Sequence, residues 1–371
     1  MKKIGIVTLY RDNFGSILQA YSTYFFVNSL GNDCSLLQVK YSKNYLKKIK
    51  KIPIILYKCV RYKSYFADQY RLKKTSKKEI NLLSKNTRNM MDNFVDSTFK
   101  IEECDIKNLK LLNSKYDYFI TGSDQVWNGY DKFKYLVFAD KEKRIALAPS
   151  FGTSSIKEYF KKNIKKALKG FNVLSAREES GVQIIKVLTG KNAERLSDPT
   201  ILLTKSEWIK FSSNGVSKTN YILIHFLNRP NELAIQMINR YLKNHEFVAL
   251  CICNNYKEYD QLIRFEFIDI SPYDYVSLLA SASFVFTDSF HSTLFSLNLE
   301  TQFLTFERQY LHGISQNSRI MDLLNRVKMT NRFVTGNDPI EFNKLELWDS
   351  NALFKNEREK IKRYIQEVLG R

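Results

Sequence analysis

Residues 3–39 read KIGIVTLYRDNFGSILQAYSTYFFVNSLGNDCSLLQV. Ile4–Leu9 is a short apolar run, and Gly15–Leu30 has helical spacing with Ile17, Ala20, Tyr24 and Val27 on one face. Gly31 stands where a left-handed residue would end that helix, and Ser35–Val39 turns apolar again. The stretch therefore predicts strand, helix and parallel strand, one βαβ unit. Its basic-then-apolar start superficially resembles a secretion signal. Gly5 and Thr8 interrupt the apolar run, however, and no small-residue cleavage site follows. A buried first strand fits better.

Working outward, the alternation continues. Strands are predicted at Tyr118–Thr121, Arg144–Ala148 and Val173–Ala176, with helices at Ser155–Gly170 and Ser180–Thr189, and Asp198–Leu202 closes the first half. Thr204–Thr219 is polar and unpatterned, an expected interdomain connection. A second series runs through strands Tyr221–Phe226, Phe247–Cys253, Phe284–Thr287 and Phe303–Phe306. Helices Asn231–Lys243, Pro272–Ala282, Ser292–Leu297 and Ser318–Val327 separate or follow them, and Asn351–Leu369 forms a basic amphipathic terminal helix. Such repeated β-α alternation implies an α/β fold with two Rossmann-like, doubly wound domains. The expected division is an N-terminal domain at 1–203, a C-terminal domain at 204–350 and the terminal helix at 351–371. Ligands of such folds sit beyond the carboxyl ends of the strands and in the cleft between domains.

Composition agrees with this reading. The chain has 371 residues, 44% apolar and 26% charged, so disordered and collagen-like classes are excluded and about two domains are expected. Only 13 glycines and 6 prolines occur, well below the usual ~7% and ~5%, which favours long helices over turn-dense β structure. The most apolar stretches, such as Ile52–Val60, fall far short of the ~18 residues needed to span a bilayer. Five cysteines, Cys34, Cys59, Cys104, Cys251 and Cys253, show no metal-ligand rhythm, and Cys251 and Cys253, inside an apolar strand-like run, read as core thiols rather than ligands. A cytoplasmic protein is expected, without metal.

The net charge of +20 is concentrated: residues 40–91 hold sixteen Lys or Arg against two acids, a net +14 interleaved with tyrosines. This basic helical insert admits three readings: a solvated face, an anionic membrane surface, or nucleic acid. No recognised nucleic-acid motif accompanies it, so no nucleic-acid partner is expected.

Short polar clusters follow several strands. Asn13-Phe14-Gly15-Ser16 opens the first helix, where glycine lets a ligand approach unpaired helix N–H groups. Gly122-Ser123-Asp124-Gln125-Val126-Trp127-Asn128 carries more polarity than a turn needs. Arg177 emerges from a strand end beside Glu178 and Glu179; it suits bidentate binding of carboxylate or phosphate, or else a surface ion pair. Asp288-Ser289-Phe290-His291-Ser292 follows an apolar strand, and His291 there could work as an acid or base. His225 reads as a core or strand-end histidine, whereas His245 and His312 lie in polar loops without such company. Asn317-Ser318-Arg319 opens the late helix. P-loop, HExxH, G-x-S-x-G and GxGxxG patterns do not occur, so metal dependence, serine hydrolysis and dinucleotide redox chemistry lack support.

Taken in order, KIGIVTLY with NFGSILQAYS, YDYFITGSDQVWN, RIALAPSFG, LSAREESG with LSDPTILL, TDSFHSTLFSL and NSRIMDLL resemble the polysaccharide pyruvyl transferase family. The similarity runs from Lys3 to about Arg332. The resemblance implies a GT-B-like arrangement of two Rossmann-like domains. It also implies transfer of the enolpyruvyl unit of phosphoenolpyruvate to a sugar as a pyruvate ketal, with release of phosphate. No cofactor is implied, since phosphoenolpyruvate is the donor substrate. Acceptors would be nucleotide- or lipid-linked precursors of cell-surface glycans, and the basic insert would then suit a peripheral place at the inner face of the cell membrane.

The resemblance assigns His291, Asp124 and Arg177 to catalysis, and Gly15, Ser16, Ser123, Gln125, Trp127, Asn128, Ser289, Asn317 and Arg319 to substrate binding. Where the family commonly has Gly after the histidine, this chain has Ser292, which adds a Cβ beside the expected site. Two other readings share these features: a GT-B glycosyltransferase using a nucleotide sugar, and a non-catalytic membrane-peripheral member of a glycan-assembly complex.

Overall fold

The computed structural model describes residues 1–11, 13–40, 52–68, 70, 83–252, 256–308, 317–336, 341–342 and 345–370. Cys253, His312 and much of the basic stretch (41–51, 69 and 71–82) lie outside them.

The first half is built on a five-stranded parallel sheet in the order β3-β2-β1-β4-β5. Its strands are β1 (Lys3–Val7), β2 (Asp33–Lys40), β3 (Ile101–Asp105), β4 (Tyr118–Thr121) and β5 (Arg144–Ala146). Between them lie helices α1 (Phe14–Ser29), α2 (Ile52–Arg61) and α3 (Lys85–Thr98). A short ribbon of β6 (Ser175–Ala176) and β7 (Glu194–Arg195) follows, flanked by α4 (Glu158–Leu168) and α5 (Glu179–Thr189). The second half holds a six-stranded parallel sheet, β10-β9-β8-β11-β12-β13. Here β8 is Tyr221–His225, β9 Val248–Ile252, β10 Phe265–Ile268, β11 Val285–Thr287, β12 Phe303–Phe306 and β13 Phe333–Val334. Its helices are α7 (Glu232–Lys243), α8 (Pro272–Ser281), α9 (Phe290–Leu299) and α10 (Asn317–Arg326).

Each sheet reverses its strand order beside its first strand: between β1 and β4 in one, between β8 and β11 in the other. Chain crossing to opposite faces leaves a crevice at the carboxyl edge there. The polar clusters after β1, β4 and β11 fall at these two points.

Thr204–Thr219 is not the irregular connection its polarity suggested. Thr204 caps α6 (Lys205–Phe211) in a capping box with Glu207, and Trp208 is fully buried. Polarity misled because caps and turns use the same side chains as loops. The basic stretch also differs from a detached insert, since its last residues begin α3, the crossover helix to β3, with Met91, Phe94 and Val95 buried.

One apolar core crosses both halves, joining Ile4 and Phe14 to Trp208, Tyr275, Leu294 and Ile361. Helix α1 sits at this seam. Leu18, Gln19, Ser22 and Thr23 are buried along with Ile17 and Ala20, so its first turns are enclosed all round. Phe14 stacks on Tyr275 of the second half, centroids 4.7 Å apart and planes 11° from parallel. The terminal helix α11 (Ser350–Gly370) ties the halves again. Arg358 donates to the Ile201 carbonyl and to Asn298 Oδ1, each at 2.7 Å, and the Tyr364 hydroxyl donates to the Ala146 carbonyl at 2.7 Å.

Candidate active site

The loop after β1 and the loop after β4 meet first. Asn13 caps α1 by accepting from the Ser16 amide at 2.9 Å, which aims the Ser16 hydroxyl across the crevice to donate to Asp124 Oδ2 at 2.5 Å. Asp124 has φ +62°, a left-handed conformation that Asp tolerates better than most residues. Ser123, beside it, donates to Asp198 Oδ2 at 2.9 Å.

Asp198 is the centre of the cluster, and its side chain is wholly buried. Oδ1 accepts from the Thr200 amide and hydroxyl, an ordinary cap of the turn Pro199–Leu202. Oδ2 takes Arg177 Nη1 at 2.7 Å and faces His291 Nε2 at 3.4 Å. The second distance exceeds that of an ordinary N–H···O hydrogen bond, and the contact is an ion pair when the imidazole carries a proton. Arg177 and His291, from different halves of the chain, thus share one carboxylate.

Arg177 is 1% exposed, and its Nε and Nη2 have no hydrogen-bond partner among the described residues. Glu178 and Asp124 each place a carboxylate oxygen 3.9 Å from that edge. Glu178 is itself held through Oε1 by the Ser150 hydroxyl and the Phe151 amide. The guanidinium lies over the Phe290 ring at 4.4 Å, with Arg319 at 5.8 Å from the same ring.

Burial pushes Asp198 and Asp124 up, but the charges of His291 and Arg177, with the hydrogen bonds they accept, hold both below the usual carboxylate range. For Asp288 burial wins over Arg308 and the Leu227 and Asn228 amides, so its carboxyl is raised. Burial lowers Arg177 less than Asp198, Asp124 and Glu178 raise it. Arg319 is pushed down to about 10 by burial and by Arg177 and Arg308. Like-charged arginines held close together in a dry place favour an anion between them.

The remaining positions divide. Gly15 touches the His291 ring so closely that a Cβ there would stand 2.1 Å from Nδ1. Gly122 packs on Thr8 in the same way. Gln125 accepts from Asn128 at 3.1 Å and abuts Gly152, whose φ is +66°. Trp127 is 0% exposed and stacks on Tyr135 at 5.2 Å, so it fixes this loop to the core. Ser289 caps α9, and Asn317 donates to Glu307 Oε1 at 2.9 Å while accepting from the Arg308 amide at 3.2 Å.

Ser292, the departure from the family pattern, is fully buried, and its hydroxyl lies 2.6 Å from His225 Nδ1 and 2.9 Å from the Tyr275 hydroxyl. The added atoms are accommodated by two polar partners at the seam, which motif spacing could not reveal. Asp198 and Phe290 had been given no role, and Glu178 only that of a partner to Arg177. The Asp-Pro pair at 198–199 signals a cap, which accounts for Oδ1 but not for Oδ2.

His225 is pushed down to about 3 from 6.5, first by burial and then by Arg308 and His291. Between those values the unfolded chain binds a proton that the native ring refuses. Its contribution to stability is therefore complete above about pH 6.5 and falls as pH drops toward 3, by up to about 1.4 kcal/mol per unit. Urea unfolding at about pH 7.5, 6 and 5 should show this slope, and His225→Gln should flatten it relative to the native chain. Equal slopes would show that His225 does not titrate in this way.

The family model described as polysaccharide pyruvyl transferase matches residues 13–310. No curated protein matches the sequence. Among solved structures, similar ones include a UDP-N-acetylglucosamine 2-epimerase, with TM-score 0.54 and 11% identity over 100% of this chain and 95% of that one. Another is the UDP-GlcNAc 2-epimerase from Methanocaldococcus jannaschii, with TM-score 0.51 and 12% identity over 98% and 99% of the two chains. A third is S. aureus MnaA in a co-structure with UDP, with TM-score 0.50 and 11% identity over 99% and 91%. These likenesses concern the fold: two Rossmann-like domains in a GT-B-like arrangement.

Proposed function

This chain belongs to the polysaccharide pyruvyl transferase family, and from that premise we propose that it joins the enolpyruvyl unit of phosphoenolpyruvate to a sugar of a cell-surface glycan precursor as a pyruvate ketal. In the balanced reaction the methylene carbon gains a proton and becomes the ketal methyl. Two sugar hydroxyl oxygens bond to the neighbouring carbon, the C–O bond to phosphate breaks, and the second hydroxyl proton leaves with phosphate or solvent.

The observation that carries this reading is the meeting of Arg177 and His291 on Asp198, with the Nε–Nη2 edge of Arg177 lacking a hydrogen-bond partner among the described residues and the Asp124 and Glu178 carboxylates 3.9 Å from it. That edge is the side-on fork suited to a carboxylate or phosphate, while Nη1 is anchored and holds the plane fixed. Arg319, across the Phe290 ring, supplies a second cation for a ligand with two anionic ends. His291 is the proposed acid toward the methylene carbon or the departing phosphate. Asp124 is held below the ordinary carboxylate range, which makes it a poor proton acceptor, so its proposed role is to orient the sugar hydroxyl.

The test is incubation with phosphoenolpyruvate and a panel of nucleotide-linked and undecaprenyl-linked sugars, following phosphate release. Acceptor-dependent release supports the reading. Protection against unfolding by a nucleoside diphosphate but not by phosphoenolpyruvate would replace it with glycosyl transfer.

A further inference from the structure

Helix α2 exposes apolar side chains to solvent, Ile55 by 42% among them. Pro53, Tyr57 and Val60 follow one face at i, i+4 and i+7, and all three are exposed, Tyr57 by 64% and Val60 by 86%. Just beyond the helix, Phe66 is 70% and Tyr70 62% exposed.

This exposure is not that of a detached segment. Lys58 reaches from α2 toward α4, its Nζ 5.3 Å from the Tyr65 ring and 6.0 Å from the Tyr159 ring. Tyr65 meets Tyr159 edge to face at 4.9 Å, and the Tyr159 hydroxyl donates to Asp68 at 3.0 Å. The anchoring side chains hold the apolar stripe toward solvent.

The charge of the sequence around this stripe is one-sided. Arg61 and Lys63 are exposed beside it, and residues 40–91 carry sixteen of the chain's 58 Lys and Arg with two acids. A solvated face would explain the bases but not Val60 and Phe66, and nucleic acid would use bases without an aliphatic stripe. Aromatic and aliphatic side chains presented on a strongly cationic background match an anionic bilayer, where rings and methyls enter the headgroup region and Lys and Arg meet lipid phosphates.

We infer that the outward face carrying Pro53, Tyr57, Val60 and Phe66 docks the protein on an anionic membrane surface. Lys58 of this segment lies 5.9 Å from the ring of Phe160 on α4, and that ring stands beside Gly129, just after the polar cluster that follows β4. Docking there turns the crevice edge toward the bilayer and favours a lipid-linked over a nucleotide-linked acceptor. That consequence rests on the proposed function; the docking does not.

The test is sedimentation of the full-length protein with vesicles of phosphatidylcholine alone or with about 30% phosphatidylglycerol, at low and high salt. The expected result is binding to the anionic vesicles only, weakened by salt. The combined Tyr57→Ser, Val60→Ser and Phe66→Ser variant should bind at least about tenfold more weakly. Val187→Ser, at an equally exposed valine on α5, should bind as the native chain does. Failure of the native protein to bind anionic vesicles overturns the inference, and so does unchanged binding by the triple variant. Phosphate release with a water-soluble acceptor should be the same in the triple variant and the native chain, so failure of the transfer reading shows up separately.

Discussion

Replacing Arg177 by methionine is expected to abolish turnover and to cost the fold about 3–5 kcal/mol, the penalty for removing one partner of a buried ion pair. The side chain is 1% exposed, and Asp198, Asp124 and Glu178 all lie against it. Methionine fills a similar volume but leaves three buried carboxylates facing His291 and Arg319 alone. Arg177→Lys separates the two effects. An ammonium restores the charge and much of the stability, yet it cannot hold Asp198 and present a planar fork at once. The expected pattern is an unfolding midpoint near native for lysine, well below native for methionine, and phosphate release lost in both. A methionine variant as stable as the native chain would show that the cluster does not depend on this cation.

The second large effect is at His291. His291→Gln should lower kcat by about 10²–10⁴-fold, the usual contribution of a positioned acid. Little loss of stability is expected, because glutamine keeps a polar group near Asp198. Gly15→Ala should act through the same atom. A methyl group there would stand 2.1 Å from His291 Nδ1, and the imidazole must move. We expect a rate defect approaching that of His291→Gln, with about 1–3 kcal/mol lost to overpacking. Native turnover in Gly15→Ala would mean that the placement of the ring is not what sets the rate. Side chains that touch only the core offer the contrast: Trp127 stacks on Tyr135, so its truncation should lower stability rather than act at the cluster.

Much of the architecture was legible because period and turn chemistry are local. The run Ile4–Leu9, the face of Ile17, Ala20, Tyr24 and Val27, and the return at Ser35–Val39 specify a βαβ unit within 37 residues. Less of it was legible where burial, not pattern, decides. β10, FEFI at the sheet edge, is too short and too exposed to stand out, with Phe267 46% exposed. Helix α6 hid in a polar stretch because a capping box looks like a loop. The polar partners of Ser292 were not legible for a related reason. Spacing shows that a side chain follows His291, while only packing shows that it turns toward His225 and Tyr275.

Local patterns along the chain specify the two alternating halves, the family resemblance and the positions after strands where polar residues gather. Those features depend on a few neighbouring residues and survive being read in one dimension. Only the tertiary structure decided which clusters meet. Ser16 reaches Asp124 across 108 positions because β1 and β4 meet at the first sheet's reversal point, and Ser123 reaches Asp198 across 75 from the turn that follows the β6–β7 ribbon. Asp198 shows the reason most plainly. One of its oxygens caps the next turn, as a local reading expects. The other joins Arg177 and His291, since a buried charge must find its partners wherever the fold places them.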